Sequence, residues 1–491
     1  MIEAPHNVTA PSTRAIAQIS KLGDDILWST FMLNGDMDQD IPRIEFDALS
    51  QWGPRALTIT RDTSHVCRSW RAIIFSSPSI WGKLIDVDYL CRLSPRWSEE
   101  IMRRTVDAPL TVTGYSFHRS DDASTLLSYW DRIENIELTV WELSPFVERC
   151  WSMLCQPSPS LKSFVCRANS GNKQPYGVSE VGRKILDGFA PRLSIFAFTG
   201  PIEIDPNVFL LSRLRSLHIM MTSQTGTTPL STWLQSLKTM HSLEHLAVYS
   251  AFKVPTTDNS DLSTVYLPHL VSLHVNHTLF EAASFVAHLE VPATCCTTLD
   301  ATGASSASAI SRKTFINSAL KTYSQHWVTH NQDLTELVVD ITDSKFRIAQ
   351  FSGSSGIIIF QLGIDCGDEA ELPAIFPYVE FFREDDFSHI TLLQLTARHF
   401  FELRLDERSR RFLCLFSSVE ILETDMHSID TDEDSAGRPT HPISTTSEVA
   451  RLSGSHPKYW RGRFRCSGQW HNCRNYVFGA AEGGNLSCSG S

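Results

Sequence analysis

The chain has 491 residues, of which 42% are hydrophobic and 20% charged, the balance of an ordinary globular protein. That length exceeds one small core and predicts two or more structural units. A formal charge of −12 argues against a general nucleic-acid binder, which is normally basic, and no apolar run reaches the roughly 20 residues needed to span a bilayer.

Residues 1–20 are polar, contain Pro5 and Pro11, and read as a loose tail. They lack the basic start and apolar block of a secretory signal, so the Asn-x-Ser/Thr sites at Asn7, Asn276 and Asn485 carry no glycosylation argument. The twelve cysteines show no regular framework. Cys67, Cys155, Cys166 and Cys414 sit in apolar contexts, as small reduced core residues do. This predicts an intracellular, reducing compartment, the cytoplasm or nucleus.

A compact helical unit is expected over residues 21–85. Leu22, Ile26 and Leu33 step by four and seven, and Leu27 pairs with Phe31, which predicts an amphipathic helix from Asp24 to Leu33 ended by Asn34-Gly35. The acidic stretch Asp36 to Pro54 reads as an inserted loop. A second helix carries Val66, Trp70, Ile73 and Ile74 on one face, beside Cys67. Pro78 breaks it, and Ile80-Trp81 restarts the apolar contact, completing three short helical pieces by Ile85.

From Ile133 onward a small pattern returns: a large apolar residue, two variable residues, an apolar one, one variable, and an apolar one. It runs Ile133–Leu138, Leu161–Cys166, Leu193–Phe198, Leu214–Ile219, Leu243–Val248, Leu270–Val275, Leu334–Val339, Ile390–Leu395 and, imperfectly, Val419–Thr424. The alternating half has the period of a strand with one buried face. Helix-like segments at Ser179–Phe189, Leu230–Met240 and Leu279–Leu289 lie between. Strand, return segment and strand at a loose interval is the grammar of stacked repeats, each closing its neighbour's apolar face. The interval is irregular, from 21 residues (Leu193 to Leu214) to 64 (Leu270 to Leu334), so some units are enlarged or degenerate. An ordinary α/β domain is the alternative.

The stretch Asp425 to Pro457 is rich in Ser, Thr, Asp and Pro, and residues 426–491 read as a disordered tail. Its end mixes Trp460, Phe464 and Trp470 with Arg461, Arg463 and Arg465, types that contact single-stranded nucleic acid, but it lacks the apolar residues for a core and reads as an unfolded extension.

No catalytic constellation emerges, and no cofactor is expected. There is no phosphate-cradling loop and no dinucleotide fingerprint, and Gly353-Ser354-Ser355-Gly356 lacks the spacing of a nucleophile elbow. His269, His274 and His277 flank a predicted strand, but alternation puts His274 and His277 on opposite faces, where they cannot share a metal. Cys466, His471 and Cys473 lack a fourth ligand at zinc-like spacing, and Cys295-Cys296 needs no role.

The segments Leu22-Gly23-Asp24-Asp25-Ile26-Leu27 with Phe31, Val66-Cys67-Arg68-Ser69-Trp70-Arg71 and Pro78-Ser79-Ile80-Trp81 resemble an F-box. The chain is similar to the large fungal set of F-box proteins with degenerate leucine-rich repeats. The resemblance covers residues 21–85 by motif and extends to about 425 by pattern alone. It implies an α+β or α/β architecture: a three-helix F-box-like unit over 21–85, then an irregular leucine-rich-repeat-like solenoid over 86–425 that binds the target. It further implies a substrate-recognition subunit of a Skp–cullin–F-box ubiquitin ligase, itself not an enzyme. Its partners would be a Skp-type adaptor, through it a cullin, and an unidentified protein target. The adaptor-binding residues would be Leu22, Ile26, Leu27, Phe31, Val66, Cys67, Trp70 and Trp81. Gly23 departs from the family's Leu-Pro start. It lacks the fixed φ and apolar ring of proline, a change of about 1 kcal/mol from backbone entropy. A leucine-rich-repeat scaffold without any ubiquitin link, and a hydrolase whose Ser, His and Asp converge only in space, are the alternatives. On a solenoid, target choice would fall to variable strand residues such as Lys162, Arg215, Glu244 and Glu336.

Overall fold

The computed structural model describes residues 22–35, 56–90, 93–114, 128–140, 156–168, 189–200, 212–221, 228–254, 262–303, 310–330, 333–342, 345–352, 357–365, 379–397, 411–412, 414–426 and 460–465. The chain forms two compact units, Met1–Gly200 and Pro201–Ser491. The class is mixed α/β with a mostly parallel sheet. Among the described residues no helix is long and apolar enough to cross a membrane.

The described residues of the first unit begin with four short helices: α1 (Asp24–Asn34), α2 (Ala56–Ser64), α3 (Arg68–Phe75) and α4 (Pro78–Gly82). Asp24 and Asp25 place negative charge at the positive end of α1, and Gly35 closes the helix by returning its N–H to the Phe31 carbonyl at 3.1 Å. Pro78 sits in the first turn of α4, where its missing N–H costs nothing. Gly82 is required by contact rather than by φ: a Cβ there would lie 2.3 Å from the Pro109 carbonyl oxygen. Strand β1 (Ile85–Asp86) and helices α5 (Val87–Leu90) and α6 (Pro95–Arg104) follow, then β2 (Leu110–Gly114), β3 (Ile133–Val140), β4 (Ser163–Ala168) and β5 (Ile195–Gly200). These five strands are parallel and lie in chain order. Their register sets Phe164 opposite Phe196, rings stacked at 5.2 Å, and Cys166 opposite Phe198.

Three expectations for the helical cluster need correction. Among the described residues four helices precede Ile85, not three pieces; α2 escaped notice because two of its buried positions are Thr60 and Ser64, which carry no apolar signal. The second expected helix starts later, at Arg68, so Val66 lies outside the face that Trp70 and Ile74 occupy. Cys67 is exposed, capping that helix through its sulfur, which accepts the Trp70 N–H at 3.5 Å.

The second unit contains β6 (Ser216–Met221), α7 (Leu230–Leu237), β7 (His245–Tyr249), β8 (Val265–Tyr266), β9 (Ser272–Thr278), α8 (Leu279–Val286), β10 (Leu289–Glu290), β11 (Cys296–Thr302) and α9 (Ile310–His330). It continues with β12 (Glu336–Ile341), β13 (Lys345–Ser352), β14 (Ile357–Asp365), β15 (Leu392–Ala397), β16 (Ile421–Met426) and β17 (Trp460–Arg465). Strand order is β6-β7-β9-β11-β14-β13-β12-β15-β16-β17, with β8 and β10 as a separate parallel pair. Among the described strands only β13 and β17 run against their neighbours.

Eight of the nine sequence patterns start a strand two residues after their first member, from Leu161 (β4) to Val419 (β16); the ninth, at Ile133, starts its strand immediately. In the eight patterns before Val419 the fourth and sixth positions are buried, for example Leu217 and Ile219, Leu246 and Val248, Leu273 and Val275. Parallel pairing stacks them into apolar ladders, Leu217 opposite Leu246 opposite Leu273. Each such side chain contributes about 1.5–3 kcal/mol of burial. Helix α9 covers this face farther along, where Trp327 stacks on Phe360 at 4.1 Å and donates its indole N–H to Gln350. The long interval between Leu270 and Leu334 is filled by α8, β11 and α9. Strand β11 went unseen because Thr297 stands where the pattern has an apolar residue.

The segment expected to be an unfolded extension contributes β17, which pairs antiparallel with β16 in a register that sets Arg463 beside Glu423. Its Trp-Arg-Gly-Arg-Phe-Arg sequence has the two-residue period of a strand, and composition alone hid that. Asp36 to Pro54, Gly353 to Gly356, Cys155, and the Cys466, His471, Cys473 group lie outside the described residues, as does Ser179–Phe189 except for its last residue.

Candidate functional site

The helices of the first unit sort the expected binding residues into two groups. Leu27, Phe31 and Trp81 are buried, and with Ile74 and Ile80 they make the interior where α1, α3 and α4 meet. Trp81 donates its indole N–H to the Ile74 carbonyl at 2.9 Å, and the Arg104 guanidinium of α6 lies 4.7 Å from its ring centre. Arg104 is itself held by Glu100, whose carboxyl is lowered to about 2 by hydrogen bonds from Arg103 and Arg104. Trp70 is half-buried, edge-on to Phe31 at 5.2 Å.

Leu22, Ile26, Val66 and Cys67 stand at the surface. Ile26 is 50% exposed, Val66 61% and Leu33 69%, with Trp28 and Phe75 also open. A 14-residue segment around α1, 22–35, thus buries two of its large apolar side chains and leaves four others in water. An interior already filled does not need them. Apolar surface left exposed by a small unit is the composition of a docking face.

The second unit offers a different surface. On the strand face opposite the buried ladders, β6, β7 and β9 set His218, Ala247 and His274 side by side in register. The Tyr249 ring lies between two imidazoles, 5.1 Å from His218 and 4.8 Å from His274. Tyr249 Oη is 3.1 Å from His274 Nδ1, and His274 Nε2 is 3.3 Å from Asp300 Oδ2. Gln361 donates to Asp300 Oδ1 at 2.7 Å and accepts from Arg347 at 2.8 Å. Burial works against the Asp300 charge, but the hydrogen bonds from His274 and Gln361 outweigh it and hold its pKa below the usual carboxylate value. An ionised Asp300 accepts from Nε2–H, so in the neutral imidazole Nδ1 accepts the phenolic proton. Burial, and then Asp300, push the Tyr249 pKa up, so the phenol keeps that proton. Gly363 makes the arrangement possible: a Cβ there would meet Asp300 Oδ1 at 2.5 Å.

This row of side chains went unread because its members are spread over 144 positions, from His218 to Gln361, each in a variable slot of a different strand. His277 is buried on the other face, as alternation requires, where Nε2 donates to the Phe252 carbonyl at 2.8 Å and Nδ1 accepts the Thr278 N–H. His269 is exposed. Among the described residues no His, Cys, Asp and Glu side chains gather as a metal site. Ser272 Oγ lies 2.8 Å from His245 Nδ1, and Asp300 is bonded to His274 instead.

The variable residues expected to choose a target are engaged between neighbouring strands. Lys162 pairs with Glu134 at 2.8 Å, Arg215 Nε with Glu244 at 2.9 Å, and Glu336 accepts from Gln394 at 2.9 Å. The five described cysteines, Cys67, Cys166, Cys295, Cys296 and Cys414, are free thiols. Scanned against protein-family models the chain matches no family, and a search of curated proteins finds no relative of it.

Proposed function

We propose that this chain is the target-receptor subunit of a Skp–cullin–F-box ubiquitin ligase. In this reading residues 21–85 are an F-box-like unit that docks a Skp-type adaptor, and the strand ladder is a leucine-rich-repeat-like solenoid that holds a protein target. The carrying observation is the exposure of Leu22, Ile26 and Val66 around an interior that Leu27, Phe31, Ile74 and Trp81 already fill. Docking would bury that exposed stripe at about 25 cal/mol per Å². The chain then needs no active site; it raises the effective concentration of the target beside the conjugating enzyme.

The test is co-purification of the full chain with the adaptor. Ile26→Asp and Val66→Asp should abolish the complex while the circular dichroism and melting temperature stay near those of the parent. Undiminished complex with both replacements refutes the proposal. Gly23 favours a second reading, a repeat scaffold that has lost the adaptor, and absence of a complex at micromolar concentration of the unmodified proteins selects it.

A further inference from the structure

We infer that the open face of β6, β7 and β9 is a receptor for an uncharged aromatic side chain, tyrosine or tryptophan, presented by an extended segment of a target protein. The inference rests on the reading of the chain as a target receptor and names the chemistry that the receptor reads.

The recess is built by a size mismatch. Ala247 occupies the central position, with His218 and His274 directly opposite it on the two flanking strands and His245 and Tyr249 two residues away on its own strand. A methyl group surrounded by four rings leaves a hollow, here about 470 Å³. That is within the range of pockets that hold a specific ligand, about 300–1,000 Å³. One wall is the row His218, Tyr249, His274; the other is the His245–Ser272 pair.

Two features select the occupant. No Lys, Arg, Asp or Glu is among the residues that line the hollow, so a charged group would lose its hydration without a counter-charge. The ionised Asp300 lies just behind His274 and further disfavours an anion. What remains is a box of ring faces and edges, which prefers another ring in tilted or edge-on contact, each such pair adding to simple burial. The hydroxyls of Ser272 and Thr298 and the Tyr249 oxygen offer hydrogen bonds to a phenol or an indole N–H at its rim. Leucine would bring apolar surface but neither a ring to pack on the four others nor a polar atom for the rim.

The experiment is titration of the full chain, labelled at the histidine rings, with N-acetyl-tyrosinamide and N-acetyl-tryptophanamide, followed by NMR. The resonances are assigned through His218→Gln and His245→Gln. Saturable shifts of the His218, His245 and His274 signals are expected from both amides, and weaker, unsaturated ones from N-acetyl-leucinamide, N-acetyl-lysinamide and N-acetyl-phosphotyrosinamide. Ala247→Leu, which fills the floor, should weaken the aromatic amides about tenfold or more. Tyr249→Ala, which adds no bulk, should do the same, and Tyr249→Phe should keep most of the affinity. The inference is overturned if no aromatic amide saturates, if leucine or a charged amide binds as well, or if Ala247→Leu and Tyr249→Ala both bind like the parent. Ile26→Asp should leave these titrations unchanged. A chain that binds the aromatic amides without binding the adaptor keeps this inference and removes the ubiquitin reading alone.

Discussion

The helical cluster and the strand ladder treat their surfaces in opposite ways. In and just before α1 the exposed positions include Leu22, Ile26, Trp28 and Leu33, whereas the open faces of β7 and β9 carry exposed His245 and half-buried Tyr249, Ser272 and His274 in alternation with buried Leu246, Val248, Leu273 and Val275. A strand has a fixed two-residue period, so its inner and outer faces are assigned separately. A short helix in a small cluster buries only a narrow stripe of its surface. Under the proposed function, apolar content in the ladder speaks of stability, and the exposed part of it in the cluster of recognition.

The sharpest way to break that contrast is to exchange an interior residue for a surface one in the same cluster. Trp81→Ala removes a buried indole, its bond to Ile74 and the ring beneath Arg104, and should cost about 3–5 kcal/mol in chemical denaturation. Leu33→Ser, at a site open to solvent, should change stability by less than about 0.5 kcal/mol. Comparable losses from the two would erase the distinction between filling and docking.

A pH series probes the ladder instead. Burial lowers the His277 pKa from 6.5 to about 4, and the bond it accepts from Thr278 N–H leaves no place for a second proton. The unfolded chain therefore binds the proton first, and folding stability should fall as pH drops from 6.5 towards 4, by about 3 kcal/mol in all. Above pH 6.5 the residue adds no slope. His277→Gln should flatten the urea midpoint across that window; an unchanged slope would place the titrating group elsewhere.

Smaller effects come from the backbone. Val106 adopts φ of 46°, a left-handed value that a β-branched residue reaches only with strain, just past the end of α6. Val106→Gly should raise stability by about 1 kcal/mol in thermal unfolding. Gly23 has φ of −64°, a value proline adopts, and a Cβ there meets only the movable end of Asp25. Gly23→Pro should stabilise the chain by about 0.4–1 kcal/mol and tighten adaptor binding; a weaker complex would show that the glycine itself is used.

The strands of the ladder were legible wherever a large apolar residue opened the pattern, because that residue and the two that alternate after it all face the interior. Leu214, Leu217 and Ile219 are an example, each buried. Reading failed where small polar residues took interior positions, Thr60 and Ser64 in α2 and Thr297 in β11. Around the helical cluster, periodicity grouped Leu27 with Ile26 without saying which was inside; the packing of the helices separates them, burying Leu27 and leaving Ile26 half exposed. The ring box lay beyond reach altogether, since Ala247 matters through the size of its cross-strand neighbours, which no local window contains.

One irregularity bears on how the sheet assembles. Between β11 and β12 the chain skips two places and returns to fill them with the β13–β14 hairpin, β14 against β11 and β13 against β12. Up to β11, strands can add one after another as the polypeptide is made. Past it, β12 has no seat until the two later strands are inserted, so the span from Cys296 to Asp365 must set as one cooperative block. A chain interrupted between those residues would keep β6 to β11 with a bare parallel edge, a template for pairing with another molecule.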